Sequence, residues 1–128
     1  MILLDTCVLL WLAADQKKLS GKAKKVIERN QGALFVSAIT AFELAIKCRN
    51  GKLKLELPVM DWFVEALSFH GIIELPMTSH VAISAVQLPP LHNDPCDRII
   101  VATAQINNME ILTCDDLISQ YKEVDVLW

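Results

Sequence analysis

Short apolar runs alternate along this chain with longer segments in which apolar residues recur every three or four positions. The short runs, bounded by turn residues, predict buried β-strands, and the longer periodicity predicts amphipathic helices. The predicted strands are residues 1–4, 34–37, 72–75, 110–113 and 124–127. The predicted helices are residues 6–14, 20–30, from Ser37 or Thr40 to about 50, 59–70, 78–88, 95–107 and 115–121. Residues 52–57 alternate between charged and apolar, which favours an extended segment.

This alternation of strands and helices predicts an α/β fold, a three-layer α/β/α sandwich with a mostly parallel sheet. The 128 residues suit one domain spanning residues 1–128, without a linker, repeat or low-complexity segment. In sheets of this class, ligands bind beyond the carboxyl ends of the strands. Residues that directly follow the predicted strands are therefore the first candidates for a functional site.

Composition narrows the class of protein. Apolar residues make up 53% of the chain, above the roughly 45–50% of ordinary domains, which favours burial in a dimer or against a partner. The longest apolar run, Cys7–Ala14, is far shorter than the roughly 20 residues that span a bilayer. The N-terminus lacks the basic region of a signal peptide, so we expect a cytoplasmic protein. Neither the four cysteines nor the three histidines show zinc-ligand spacing, which indicates reduced, partly buried thiols.

Charge is distributed unevenly between the two halves of the chain. Residues 1–55 hold ten basic and four acidic residues, whereas residues 56–128 hold two basic and eleven acidic ones. A basic half beside an acidic half suits a polyanion held near a cation-binding pocket. The alternative is that the basic stretch 17–29 is only the solvated face of a helix, and charge by itself favours that alternative.

Two acidic residues in the first half of the chain are candidates for chemistry. Asp5 directly follows the first predicted strand, although an aspartate there can also cap the next helix. Glu43 lies in the helical turn Ala41–Ile46, whose other residues are all apolar. A helix that is apolar on all sides is buried, and a lone buried carboxylate is costly unless it is paired or bound to a metal. The alternative to a site residue is an ion pair with Lys47 or an arginine.

The start of the helix 95–107 carries two more acids. Asp94 before Pro95 has the sequence of an N-cap followed by proline at the first helical position, so its predicted role is structural, and it is kept as a secondary candidate for the site. Asp97 then falls at the third helical position, where an acid can also contact the cap. It leads the apolar face of this helix, which places its carboxylate near the sheet edge. Arg98 is interpreted as the salt partner of Asp97 or as a phosphate contact.

Asp115 and Asp116 follow the fourth predicted strand, and one of them is expected to cap the next helix. We assign Asp115 to the site and keep Asp116 as the alternative. Four converging carboxylates, those of Asp5, Glu43, Asp97 and Asp115, would repel one another without a cation. Oxygen ligands select Mg²⁺ or Mn²⁺ over zinc, and such ions activate water for attack on a phosphodiester.

This constellation resembles the PIN domain family, particularly the VapC-type ribonuclease toxins of bacterial toxin–antitoxin pairs, over essentially the whole chain. The opening Met1-Ile2-Leu3-Leu4-Asp5-Thr6 is similar to the family's first strand and first acid, with Thr6 as a hydroxyl neighbour. Residues 37–43, 91–104 and 111–115 resemble the segments that carry the other three acids, and residues 124–128 resemble the terminal strand. One departure is Cys96, where many relatives have a bulky apolar residue; we expect it to affect packing only.

The resemblance implies an Mg²⁺- or Mn²⁺-dependent endoribonuclease that forms a homodimer. It also implies inhibition by a cognate antitoxin whose peptide lies across the active site. Asp5, Glu43, Asp97 and Asp115 would then be both the catalytic and the metal-binding residues. Lys47, Arg49 and Arg98 are candidates for contacts with the RNA backbone.

Other families that gather acids at strand ends fit less well. A haloacid-dehalogenase-like phosphatase needs a second aspartate where this chain has Cys7, and a response-regulator receiver needs a lysine after a late strand, where Lys122 is misplaced. Nucleotide-binding loops need clustered glycines, which are absent. A non-catalytic PIN-like module that binds RNA or a partner remains the open alternative.

Overall fold

The apolar runs pair as the strands of one sheet in the computed structural model, which describes all of residues 1–128. The strands are β1 Ile2–Leu4, β2 Leu34–Ser37, β3 Ile73–Leu75, β4 Glu110–Leu112 and β5 Val126–Leu127. Every pairing is parallel, and the strand order is β3-β2-β1-β4-β5. The first strand of the chain is therefore the central strand of the sheet.

Helices cover both faces of this sheet. They are α1 Thr6–Ala14, α2 Gly21–Arg29, α3 Ala38–Arg49, α4 Val59–His70, α5 Ser79–Gln87 and α6 Pro95–Asn107. Successive strand residues point to opposite faces. Accordingly, Ile2 and Leu4 enter a core shared with α1, α2 and α4, whereas Leu3 enters a second core shared with α5 and α6. These layers confirm the predicted α/β/α sandwich, with a sheet that is wholly parallel.

The strand order reverses at β1. The chain proceeds from β1 through β2 to β3 on one side, and then returns to place β4 and β5 on the other side. The connections after β1 and β4 consequently leave a crevice between them at the carboxyl edge of the sheet. Such a switch point is where open parallel sheets bind their ligands.

Local signals in the sequence set the helix boundaries. The hydroxyl of Ser20 accepts the backbone N–H of Ala23 at 2.9 Å at the start of α2, and that of Thr78 accepts the N–H of Val81 at 3.2 Å at the start of α5. Gly71 ends α4 with a φ of 63°, in the left-handed region that glycine tolerates best. The predicted bounds of α1, α4 and α6 coincide with the observed ones.

Three predicted segments differ most from the structure. Residues 52–57 form no strand, because the amides of Lys52 and Leu53 bond back to the carbonyl of Lys47 at the end of α3. The predicted helix 115–121 is reduced to a 3₁₀ turn at Ile118–Gln120. The strand predicted at 124–127 is shortened to β5, since only two of its residues pair with β4.

Helices α4 and α5 leave apolar side chains on the surface. Phe69 of α4 is 82% exposed and Val86 of α5 is 80% exposed, with Met60, Val64 and Ile83 beside them along the same helices. Exposed apolar surface of this kind marks contact sites for other molecules. None of the helices combines the length and the apolar character needed to cross a membrane.

The stability of the sheet depends on tightly packed residues in β4, and mutation of one such residue measures its contribution. Ile111 is 0% exposed, so Ile111→Ala should lower the free energy of unfolding by about 2–5 kcal/mol through lost burial and a residual cavity. Ile73 on the edge strand is 47% exposed, so Ile73→Ala should cost less than about 1 kcal/mol. Urea unfolding of both variants tests the difference, and similar losses would contradict the assignment of Ile111 to the core.

Candidate active site

Asp5 lies in the crevice between β1 and β4. Its Oδ1 accepts the backbone N–H of Thr6 at 2.7 Å, and its Oδ2 accepts the Thr113 hydroxyl at 2.6 Å. The second bond crosses the switch point and joins residues 108 positions apart. Cys7 also donates its thiol to Oδ2, at 3.6 Å. Asp5 therefore caps α1, as one interpretation expected, and its carboxylate is fixed by both central strands.

Glu43 reaches the same edge from α3. The Thr6 hydroxyl donates to Glu43 Oε1 at 2.8 Å, which leaves that hydroxyl to accept from Thr40 at 3.1 Å. Burial raises the pKa of Glu43, and the charge of Asp5 raises it further, whereas the Thr6 hydrogen bond and the charge of Lys47 oppose the rise. Glu43 makes no ion pair, so the alternative pairing with Lys47 is not observed.

The environment of Glu43 is less enclosed than the sequence predicted. The neighbouring Phe42 is 55% exposed, Ala45 is exposed, and Glu43 itself is half-buried. The expectation that this turn is buried on all sides was wrong, because one side of α3 opens to solvent beside the acids. Glu43 is thus accessible to a ligand as well as partly desolvated.

Asp97 is the common member of two groups of potential ligands. One group comprises Glu43, Asp94 and Asp97, and the other comprises His92, Asp97 and Asp115; within each group the ligand atoms lie within 4.8 Å of one another. Burial raises the pKa of Asp97 to about 8, and the charges of Asp5, Asp94, Glu43 and Asp115 add to the rise. Partial burial and the neighbouring negative charges therefore make ionisation of Asp97 unfavourable.

Asp94 has two roles in this arrangement. Its Oδ1 accepts the backbone N–H of Cys96 at 2.9 Å, which is the predicted capping contact at the start of α6. Its carboxylate also belongs to the group formed with Glu43 and Asp97. A purely structural role for Asp94 is therefore too narrow, since the cap lies within reach of the acid cluster.

The two aspartates after β4 are placed differently. Asp115 Oδ1 accepts the N–H of Leu117 at 2.8 Å, and its own backbone N–H donates to the Thr113 hydroxyl at 3.0 Å. Its Oδ2 points to His92, 3.1 Å away. The Asp116 side chain is exposed and belongs to neither group. The geometry therefore places Asp115, and not Asp116, beside Asp97.

His92 is the site residue that the sequence did not single out. Its Nε2 lies 3.0 Å from Asp97 Oδ2 and 3.1 Å from Asp115 Oδ2, and its side chain is 11% exposed. The three histidines lack the spacing of zinc ligands, so their spacing did not point to His92 as a site residue. The available signal was the position of His92 two residues before the capping Asp94.

The basic candidates fall into two kinds. The Arg98 guanidinium donates to four backbone carbonyls and to the Tyr121 hydroxyl, and it forms no ion pair with Asp97. Its predicted role as the salt partner of Asp97 was wrong, because these acceptors occupy it. Lys47 is half-buried one turn after Glu43, and Arg49 is exposed at the end of α3. Contact of these three residues with RNA stays a prediction.

Burial disfavours ionisation of two thiols near the acids, those of Cys7 and Cys96. All four cysteines are free. Burial raises the pKa of Cys96 to about 12, and the charges of Glu43, Asp94 and Asp97 contribute. Burial and the charge of Asp5 raise the pKa of Cys7 still further. Because thiolates are the metal-binding form of cysteine, the available donors are mainly carboxylate oxygens, which fit a hard divalent cation.

Comparisons with known proteins agree with this fold. The PIN domain family model matches residues 2–124. Ribonuclease VapC22 of Mycobacterium tuberculosis is 36% identical over 115 residues, which cover 89% of this chain and 86% of the relative.

Solved structures of similar fold cover nearly the whole chain. The toxin–antitoxin complex of Klebsiella pneumoniae matches with a TM-score of 0.67 and 22% identity, over 100% of this chain and 97% of that one. VapBC2 of Rickettsia felis matches with a TM-score of 0.71 and 14% identity, over 99% and 98% of the two chains. The family match spans strands β1 to β4 and every acid of the site, and the chain belongs to the PIN domain family.

Proposed function

We propose that this protein is a metal-dependent endoribonuclease, the toxin of a type II toxin–antitoxin pair, that hydrolyses RNA phosphodiester bonds with Mg²⁺ or Mn²⁺. The observation that carries the proposal is the convergence of Glu43, Asp97 and Asp115 on one edge, next to Asp5. Such a group of partly buried carboxylates is stabilised by a divalent cation. The similarity to a relative named as a ribonuclease supports the choice of reaction.

The protein side chains would hold the cation and fix its position. Asp5, Glu43, Asp97 and Asp115 would supply oxygen ligands, and Asp94 lies close enough to add another. When bound, the cation would activate water and stabilise the charge that develops on the phosphate. Thr6 orients Glu43 and Thr113 orients Asp5, so hydroxyl donors hold the carboxylates before any ion arrives. Such preorganisation removes a reorganisation cost from the reaction.

Substrate binding requires positive charge near the acid cluster. Lys47 is the closest candidate, because its charge acts on both Glu43 and Cys96. Arg49 lies on the exposed end of the same helix. Both would contact the RNA backbone without reading its sequence. Arg98 is a weaker candidate, since both terminal nitrogens of its guanidinium already donate to protein acceptors.

Exposed apolar surface supports two kinds of protein partner. We propose that the faces of α4 and α5 that carry Phe69 and Val86 take part in a homodimer or bind a cognate antitoxin. The similar structures include a toxin–antitoxin complex, which supports an antitoxin as one partner. The competing proposal is a PIN-like module that binds RNA without cleaving it.

Cleavage should depend on the acids and on a divalent ion. Asp97→Asn and Asp5→Asn should each reduce RNA cleavage by about 100-fold or more, on the scale of removing a group that stabilises transition-state charge. Asp116→Asn is the matched control, because that side chain is exposed outside the cluster. Cleavage of labelled RNA with Mg²⁺, with Mn²⁺ and with a chelator provides the measurement. Cutting that persists in the chelator would contradict the proposal, and RNA binding without cutting by the wild type would favour the non-catalytic module.

Stability of the metal-free protein should fall as pH rises. The pKa of Asp97 is about 8 in the folded protein, above its ordinary value of 3.8. Between these values the folded protein holds a proton that the unfolded chain has lost, so the free energy of unfolding decreases from about pH 4 to about pH 8. Asp97→Asn should flatten this slope and raise the Tm at pH 8, and Mg²⁺ should raise the wild-type Tm at the same pH. Thermal unfolding measured across this pH range, with and without Mg²⁺, tests both effects. If stability depends on pH equally in the wild type and in Asp97→Asn, the raised pKa of Asp97 is contradicted.

A further inference from the structure

The imidazole of His92 is inserted into the start of α6. In an ordinary capping box, the acid at the third helical position accepts the backbone N–H of the cap residue. Here the N–H of the cap residue Asp94 donates to His92 Nδ1 at 3.1 Å, and Asp97 at the third position turns to His92 Nε2 instead. The imidazole thereby links the helix cap to the acid cluster.

These contacts define the tautomer of His92. Because Nδ1 accepts the Asp94 N–H, its lone pair is engaged in that bond, and the ring hydrogen that reaches the acid cluster is on Nε2. The Nε2–H then points between Asp97 Oδ2 at 3.0 Å and Asp115 Oδ2 at 3.1 Å. In this state His92 is a hydrogen-bond donor to two potential metal ligands, and Nε2 has no lone pair to offer a metal.

A second set of contacts fixes the backbone of His92. The hydroxyl of Tyr121, which is 1% exposed, accepts the His92 N–H at 3.0 Å and donates to the Pro89 carbonyl at 3.2 Å. Arg98 donates to the carbonyls of His92 at 3.2 Å, Pro89 at 2.9 Å and Leu88 at 2.7 Å. This Arg98–Tyr121 clamp holds residues 88–92, which contain no regular secondary structure.

An N–H placed between the two carboxylates has an electrostatic role. Asp97 and Asp115 come from separate segments and repel each other when both are ionised. The Nε2 of His92 lies within hydrogen-bond distance of an oxygen of each carboxylate, so one N–H can hold the two groups together without a lysine or arginine in the cluster.

We propose that His92 is a positioning residue that uses its Nε2–H to align Asp97 and Asp115 for a divalent cation, and that the Arg98–Tyr121 clamp sets its place. The inference rests on the metal site of the proposed function. It does not depend on RNA cleavage, and metal affinity can be measured without RNA.

The test combines metal titration with nitrogen NMR. His92→Ala should weaken Mg²⁺ and Mn²⁺ binding by similar factors of about 10–100, as expected when a partner of a metal ligand is removed. His92→Gln, whose amide nitrogen can replace Nε2, should restore most of the affinity, whereas His92→Asn should not. His80→Ala is the matched control, because His80 is exposed on α5. Calorimetric titration and thermal unfolding of each variant separate metal affinity from folding.

The outcomes distinguish positioning from direct ligation. ¹⁵N NMR of histidine-labelled, metal-free protein should show the hydrogen of His92 on Nε2. A much larger loss for Mn²⁺ than for Mg²⁺ would overturn the proposal, because imidazole ligands favour transition metals. Unchanged affinity in His92→Ala would also overturn it. Metal binding that follows the prediction in a wild-type protein that does not cleave RNA would contradict the proposed nuclease and support the inference about His92.

The clamp is tested by a double-mutant cycle. Tyr121→Phe removes the hydroxyl and keeps the buried ring, so it should weaken metal binding several-fold while leaving the fold intact. Combined with His92→Ala it should have little further effect, since both changes act on the same pair of carboxylates. Fully additive losses would show that Tyr121 does not act through His92.

Discussion

Repulsion between carboxylates is the constraint around which this molecule is arranged. The parallel sheet brings the ends of β1 and β4 together, and α3 and α6 add acids from either side. No lysine or arginine neutralises these acids directly. Instead, the side-chain donors of Thr6, Thr113 and His92 hold the carboxylates in place. The folded state therefore stores unfavourable charge interactions that a cation can relieve, which is the physical basis for coupling between metal binding and stability.

Much of the fold was predictable because its signals are local. Strand runs, caps and stop residues are read within a few positions, and the observed bounds of α1, α4 and α6 coincide with those expected. Convergence of acids could also be anticipated, because the carboxyl ends of parallel strands share an edge. Asp5 and Asp115 were placed by that rule, and Glu43 by its unusual apolar surroundings, although those surroundings are more open than expected.

The remaining features depend on contacts that no local pattern encodes. His92 belongs to an irregular segment whose position is set by Tyr121 and Arg98, residues distant from it in sequence or on a neighbouring helix. The charge on Arg98 predicted an acidic partner, whereas the structure gives it backbone carbonyls left without strand or helix partners. The backbone polar groups of an irregular segment still require hydrogen-bond partners, and a half-buried guanidinium with five donors is well suited to supply them.

The bond between Thr113 and Asp5 has a consequence for the order of assembly during synthesis. It joins the first strand of the chain to a residue near the other end, with the whole of β2, α3 and α6 in between. A growing chain can form α1 and α2 early, but β1 has only one of its two neighbours until β4 emerges. Long-range parallel pairing of this kind forms late. The acid cluster is therefore completed only after Thr113 and Asp115 have left the ribosome, and nascent chains that stop before them carry the other carboxylates without the complete site.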